Sequence, residues 1–259
     1  MPSGNKSKLI NDPLHGFVTL PSALVYDVVQ HPYFQRLRRI RQLGMSEWVY
    51  PGATHTRFHH ALGAMNLMVK ALDTLRGKGV EITEEEKEAA ILGILMHDIG
   101  HGPYSHTLEY TLAQGVNHED ISIMLMERMK IEFGGALRLA IDIFRGDYHK
   151  KPFLHQLISG ELDMDRLDYL MRDSFYTGVS EGIVGVDRLI HMLNVKDGDL
   201  VVEEKGIYSV EKFLVARRLM YWQVYLHKTV IAGEQMLIKI LERAKELALD
   251  GKELFTTPN

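Results

Sequence analysis

The sequence predicts a mainly α-helical fold, and two observations carry that prediction. Apolar residues recur at spacings of three and four along most of the chain, the period of a helix with a buried face, while strict alternation is confined to short stretches. With 259 residues and 46% hydrophobic content, the chain can bury a substantial core. The expectation is one domain over residues 1–259, with a small β-hairpin inserted near residues 193–208.

Taken in order, Asp12-Pro13-Leu14-His15-Gly16 reads as a turn, and Phe17–Leu20 as a short strand ended by Pro21. A helix from about Ser22 and a second from about Pro32 follow; the second carries Arg36, Arg38, Arg39 and Arg41 and stops near Gly44. The loop Gly52–Thr56 opens a helix whose Leu62, Met65, Met68, Val69 and Leu72 share a face. Thr83-Glu84-Glu85-Glu86 is a capping-box pattern ahead of Ala89–Met96, a stretch without a polar side chain on any face. That helix is expected to be buried at its far end, and Gly100, Gly102 and Pro103 break the chain just beyond it. Glu161–Asp173 reads as a further helix. The Asp197-Gly198 turn between two apolar runs predicts the hairpin, and Ser209 to about Leu249 predicts one long helix.

Composition narrows the function. Thirty Lys and Arg against 34 Asp and Glu leave a net charge of -4, so no global basic field supports a nucleic-acid-coating role. The absence of cysteine excludes disulfides, zinc fingers and a cysteine nucleophile, and leaves His, Asp and Glu as the only metal ligands. Residues Met1–Ile10 lack a signal-peptide core, and no run of about 18 uncharged apolar residues occurs, so a cytoplasmic protein without membrane partners is expected. No Walker A loop, no dinucleotide-binding glycine fingerprint after a strand and no H-E-x-x-H sequence is present.

His97-Asp98 ends the apolar helix, where an unpartnered polar group costs roughly 1 to 3 kcal/mol. A core pair bonded to backbone would satisfy such a dyad standing alone. This one has company: His101, His106 and His118 follow it, and His55, His59 and His60 cluster ahead of it. A third cluster sets Glu161, Asp163, Asp165, Asp168 and Asp173 against Arg166 and Arg172, either as a solvated helix face or as repelling charges that a cation compensates. Adjacent helical residues point about 100° apart, so His97 and Asp98 share a metal only if other helices close its shell. His60 and an aspartate near Asp165 are the natural candidates.

Those pieces resemble the H...HD...D signature of the HD-domain phosphohydrolases. The surrounding segments Asn11–Gly16, Phe34–Arg38 with Gln42–Gly44, Pro51–His60, His97–His106 and Asp163–Tyr169 are similar to the branch that hydrolyses deoxynucleoside triphosphates, and the likeness runs from about Asn11 to Lys228. It implies an all-helical HD fold, hydrolysis of a dNTP to deoxynucleoside and inorganic triphosphate, and a homo-oligomer. It further implies one divalent ion (Mn, Fe, Ni, Zn, Mg or Co) on His60, His97, Asp98 and Asp165.

By the same resemblance Arg57 meets the α-phosphate, Gln42 and Leu43 border the sugar, and His101, His106 and His118 line the reacting phosphorus, with Glu109 orienting His106 as the acid. Tyr169 and Asp173 are placed with the substrate. Arg217, Tyr221, Tyr225 and Lys228 form one stripe on the long helix, read as phosphate binding or as an interface. Lys8 and Arg36–Arg41 are candidates for a second nucleotide site; Phe17 and Gln30 stand where relatives carry groups that read guanine. The resemblance also implies a chain continuing beyond Asn259. Two competing functions keep parts of this reading: an HD phosphohydrolase for another nucleotide or phosphoester, and a nucleotide-sensing or nucleic-acid-binding module with a vestigial site.

Overall fold

A computed structural model describes residues 8–104, 115 and 117–251 of the protein. Lys8–Asp12 (β1) and Gly16–Leu20 (β2) form an antiparallel hairpin that runs from Lys8 opposite Leu20 to Asp12 opposite Gly16. Only the second strand is legible in the sequence, because β1 leaves most of its residues in contact with solvent and carries no apolar alternation. Ala23–Gln30 (α1) begins at Ser22, whose side chain accepts from Val25 N, and Pro32–Gln35 (α2) follows. A 3₁₀ turn over Arg36–Arg39 ends this passage earlier than the expected stop near Gly44. The reason is that Ile40 is extended and Arg41 pairs with Thr56 in an isolated β-bridge.

Arg57–Gly77 (α3) is the central helix. The sequence suggests one apolar face, but Phe58, Ala61, Leu62, Ala64, Met65, Leu67 and Met68 are all buried, because α3 packs against Glu84–Met96 (α4) on one side and Met164–Thr177 (α8) on another. Every residue from Ala89 to Met96 is buried, as the run of apolar side chains predicts. His118–Glu132 (α5), Arg138–Arg145 (α6) and Pro152–Gln156 (α7) lead to α8, and Val186–Met192 (α9) follows it.

Leu193–Lys196 (β3) and Asp199–Val202 (β4) form the second hairpin. Asp197 and Gly198, with φ of 55° and 90°, make the two-residue turn that the sequence predicts. The single long helix predicted from Ser209 is instead two. Ile207–Met220 (α10) passes into a π-helical turn over Tyr221–Tyr225, then His227 is extended and caps Lys228–Leu249 (α11). The π turn closes with Leu226 N donating to Tyr221 O, which adds a residue to the turn and breaks the spacing of four on which the predicted stripe rested. Among the described residues no helix is long and apolar enough to cross a membrane.

Candidate metal centre and nucleotide cavity

Three elements deliver the site. His60 lies one turn into α3, which starts with a reciprocal cap between Thr56 and His59; this accounts for His59 without giving it a role in the site. His97 and Asp98 follow directly on α4. Asp165 lies in the first turn of α8, whose start is fixed by Asp163 accepting from Arg166 N and Gly160 N. The acidic cluster therefore divides: Asp163 is a helix cap, Glu161 is exposed, and Asp165, Asp168 and Asp173 lie on buried faces of α8, with Asp165 partly open to the cavity.

His60, His97 and Asp165 each offer one ligand atom to a common space. His60 Nε2 is 2.9 Å from Asp165 Oδ1 and 3.2 Å from His97 Nε2, and His97 Nε2 is 3.4 Å from the same carboxylate oxygen. Metal–ligand bonds of about 2.1 Å at octahedral to tetrahedral angles put ligand atoms about 3.0 to 3.4 Å apart, so these separations suit one ion. The tautomers agree. His97 Nδ1 donates to Ile94 O at 2.6 Å, and His60 Nδ1 donates to Asp168 Oδ2 at 2.9 Å. Were both rings neutral, each would aim an Nε2 lone pair at the other, an arrangement that calls for a proton or a metal ion between them.

Protonation tells the same story. Burial opposes charge on His60, but the Asp165 and Asp168 carboxylates outweigh it and raise its pKa to about 10. His97 is raised in the same way against burial by Asp98 and Asp165. Without metal, a proton occupies the lone pair that a cation would take, so binding releases protons.

Asp98, the fourth expected ligand, stands at the edge of this group. Its Oδ1 lies 3.4 Å from His97 Nε2 and 3.2 Å from His101 Nε2, while Oδ2 accepts from Arg57 Nη1 at 2.5 Å and lies 3.9 Å from His60 Nε2. Burial pushes its carboxyl up, yet Arg57, His97 and His101 hold it well below the usual carboxylate range.

Behind the ligands runs a chain of buried charges that sequence reasoning missed. Arg172 grips Asp168 through Nε and Nη2, at 2.8 and 3.0 Å, and Asp12 through Nη1 at 2.8 Å. His15 Nε2 meets Asp168 Oδ1 at 2.6 Å. The signal was present in part: Asp165, Asp168 and Arg172 are spaced at three and four, so they share a face of α8.

A cavity of about 430 Å³ opens beside the ligands, lined by Arg57, Asp98, His101, His118 and Asp165 near the metal end and by Gln42, Leu43, Tyr169, Asp173 and Tyr225 along its wall. His118, the first residue of α5, stacks on His101 with ring centroids 3.9 Å apart. Ser122, one turn on, ties α5 to the dyad by donating to His97 O and accepting from Gly100 N. Burial pushes the His101 imidazole down to about 4, so it is neutral near pH 7. Asp173 accepts from His55 Nε2 at 2.7 Å and from the Tyr225 hydroxyl at 2.8 Å. Gln42 Oε1 is buried and has no hydrogen-bond partner among the described residues.

Arg217, Lys228 and the basic residues of the N-terminal region do not line this cavity. His106 and Glu109 lie outside the described residues. Arg217 lies near the cavity, with its guanidinium 5.7 Å from the Tyr221 ring, but does not line it; Lys228 is exposed at the start of α11, past the break that separates it from the stripe. Of the proposed second basic site, Lys8 lies over the Tyr26 ring and Arg38 over the Phe58 ring, while Arg36 turns inward to donate to Ile99 O and His101 O.

The HD domain family matches residues 57–173 and the HD associated region matches residues 184–257. A crystallised phosphohydrolase from Bacteroides thetaiotaomicron is similar with a TM-score of 0.94 and 62% identity, covering 98% of this chain and 62% of that one. An uncharacterized protein, YwfO, of Bacillus subtilis is 36% identical over 96% of this chain and 59% of its own length. The deoxynucleoside triphosphate triphosphohydrolase SAMHD1 homolog of Dictyostelium discoideum is 30% identical over 94% of this chain and 51% of its own length. The chain thus spans roughly half to three-fifths of the length of these two curated relatives. It belongs to the HD-domain phosphohydrolase superfamily, within which it resembles the deoxynucleoside triphosphate triphosphohydrolases.

Proposed function

We propose that this chain is a divalent-metal-dependent phosphohydrolase that converts a dNTP to deoxynucleoside and inorganic triphosphate. The observation that carries the metal half is the meeting of two imidazole Nε2 atoms with Asp165 Oδ1. The substrate half leans on the similarity to SAMHD1 homologs and on a cavity walled by Tyr169, Tyr225 and Leu43. An ion held by His60, His97, Asp98 and Asp165 supplies positive charge that acidifies water and polarises a phosphoryl oxygen.

The protein's own groups do the rest. Arg57 contributes a fixed cation where the α-phosphate enters, and its pairing with Asp98 keeps both charges in place before substrate arrives. The oxygen of water bonds to the α-phosphorus as the water loses a proton to solvent, the bond from phosphorus to the 5' oxygen breaks, and that oxygen takes a proton from a histidine that solvent then recharges. In this proposal His106, oriented by Glu109, is the donor, with His118 second; neutral His101 backs His118 through their stacked rings. Gln42 Oε1 is an acceptor waiting for a sugar hydroxyl, beside Asp173 and Tyr225.

One observation favours a second reading. Among the described residues lining the cavity, Arg57 is the one Arg or Lys, whereas a triphosphate calls for more cationic contacts. An HD phosphohydrolase acting on a smaller phosphoester would need none from Arg217 or Lys228. The test is a dNTP panel with Mn²⁺ and with Mg²⁺, the products separated by ion exchange. Tripolyphosphate is the expected product; orthophosphate or pyrophosphate alone, or no turnover of any dNTP, sinks the substrate assignment. Arg217→Ala and Lys228→Ala should then impair triphosphate hydrolysis far more than cleavage of a monoester.

A further inference from the structure

The tip of the N-terminal hairpin is far in sequence from every expected ligand, yet it reaches the metal centre. Pro13, Leu14 and His15 connect β1 to β2, and Asp12 Oδ1 shapes the turn by accepting from Leu14 N and His15 N. The same turn aims the His15 ring inward: its side chain is 4% exposed, and Nε2 sits 2.6 Å from Asp168 Oδ1. Asp168, wholly buried, uses its other oxygen to accept from His60 Nδ1 and from Arg172 Nε. Arg172 in turn returns to Asp12. The loop of contacts is closed: Asp12 to His15 through the turn, His15 to Asp168, Asp168 to Arg172, Arg172 to Asp12.

Space around this network is equally particular. A Cβ added at Gly63, one turn beyond His60 on α3, would lie 2.0 Å from Asp168 Oδ1 and 2.2 Å from Arg172 Nη2. Glycine there admits the carboxylate and guanidinium to the backbone of the helix that carries the ligand. Both the hairpin tip and α3 are thus fitted to one carboxylate, and that carboxylate sets the tautomer and plane of His60.

We infer that His15 is a positioning residue for the metal centre, clamping Asp168 so that His60 presents Nε2 to the ion, and that the N-terminal hairpin thereby sets metal affinity. The inference rests on the metal reading above. It assigns His15 no contact with substrate and no role as a ligand. Removing partners that orient a metal-bound histidine typically weakens binding about 10- to 100-fold, which is the size of effect expected here.

The test measures Mn²⁺ binding by chelator competition in the wild type, His15→Ala and His15→Gln, with the unfolding midpoint of each metal-free protein recorded alongside. Glutamine carries an amide donor at about the reach of Nε2. His15→Ala should weaken Mn²⁺ binding about tenfold or more, and His15→Gln should recover most of the loss. A merely structural His15 would lower the unfolding midpoint of the alanine variant and leave its Mn²⁺ affinity unchanged, which would overturn the inference. Failure of glutamine to restore affinity would overturn it too. If the alanine variant does not fold, His15→Asn, whose amide is too short to reach Asp168, takes its place in the same comparison. Wild-type protein that binds no Mn²⁺ would remove the metal reading itself, a result distinct from equal binding by wild type and variant.

Discussion

The two β-hairpins are built from the same number of strands and differ in almost everything else. The hairpin of β3 and β4 is a local object: a two-residue turn with both φ angles positive, held against α7 by Phe153 N donating to Gly198 O and by Gln156 bonding Asp199 and Leu200. The hairpin of β1 and β2 has a turn made by a side chain, and its tip is bonded to residues more than 150 positions away. One can be read from a dipeptide; the other acquires its meaning from α8. Turn chemistry is encoded locally, whereas a buried charge network exists only once its members have been folded together.

The largest test of that contrast is Arg172→Leu. It leaves Asp12 and Asp168 buried without their cation, and breaking a buried pair in this way costs about 3 to 5 kcal/mol, to be read from urea denaturation. A loss below about 1 kcal/mol would mean that the N-terminal network is no more important than the distal hairpin. Next comes metal itself: Mn²⁺ at about 100 times its dissociation constant should stabilise the wild type by about 2.7 kcal/mol, seen as an EDTA-reversible rise in Tm. His97→Ala should abolish that rise.

Acid provides a third probe. Burial raises the Asp168 carboxyl, but Arg172, His15 and His60 together hold it well below its ordinary value. A carboxylate depressed in the folded state contributes stability above the unfolded pKa of about 3.9 and loses it as pH falls toward the folded value. Metal-free wild type should therefore lose stability on acidification below about pH 4, with a shallower slope for Asp168→Asn in the same titration. Smallest is Gly198→Ala in the distal hairpin. It forces a side chain into the left-handed region at a cost of roughly 1 to 2 kcal/mol and should leave Mn²⁺ affinity at the wild-type level. A change in affinity there would erase the distinction between the hairpins.

Much of the candidate site is legible in the sequence because its members are short-range signals in unusual places. His97-Asp98 stands out as a polar dyad ending a helix that is buried from Ala89 to Met96, and His60 and Asp165 fall within clusters dense enough to demand a partner. What the clusters do not reveal is the division of labour inside them. His59 caps a helix, His55 supports Asp173, and His60 alone of the three faces the other ligands. Arg217 and Lys228 look equivalent by spacing, but a π turn and an extended His227 separate them.

The helical period, the placement of caps and the Asp197-Gly198 turn were determined by the sequence alone, since each depends on neighbours within a few positions. So was the inventory of nitrogen and oxygen ligands that a chain without cysteine can offer. Which ligand meets which, and in what tautomer, was decided by the packing of α3 against α4 and α8. That packing sets His60 Nε2 against His97 Nε2 and seats Asp168 over Gly63, and only there do Asp12 and His15 come within bonding distance of the centre. The physical reason is distance along the chain: contacts between remote residues leave no periodicity behind them, because their cost and their gain are realised only in the folded core.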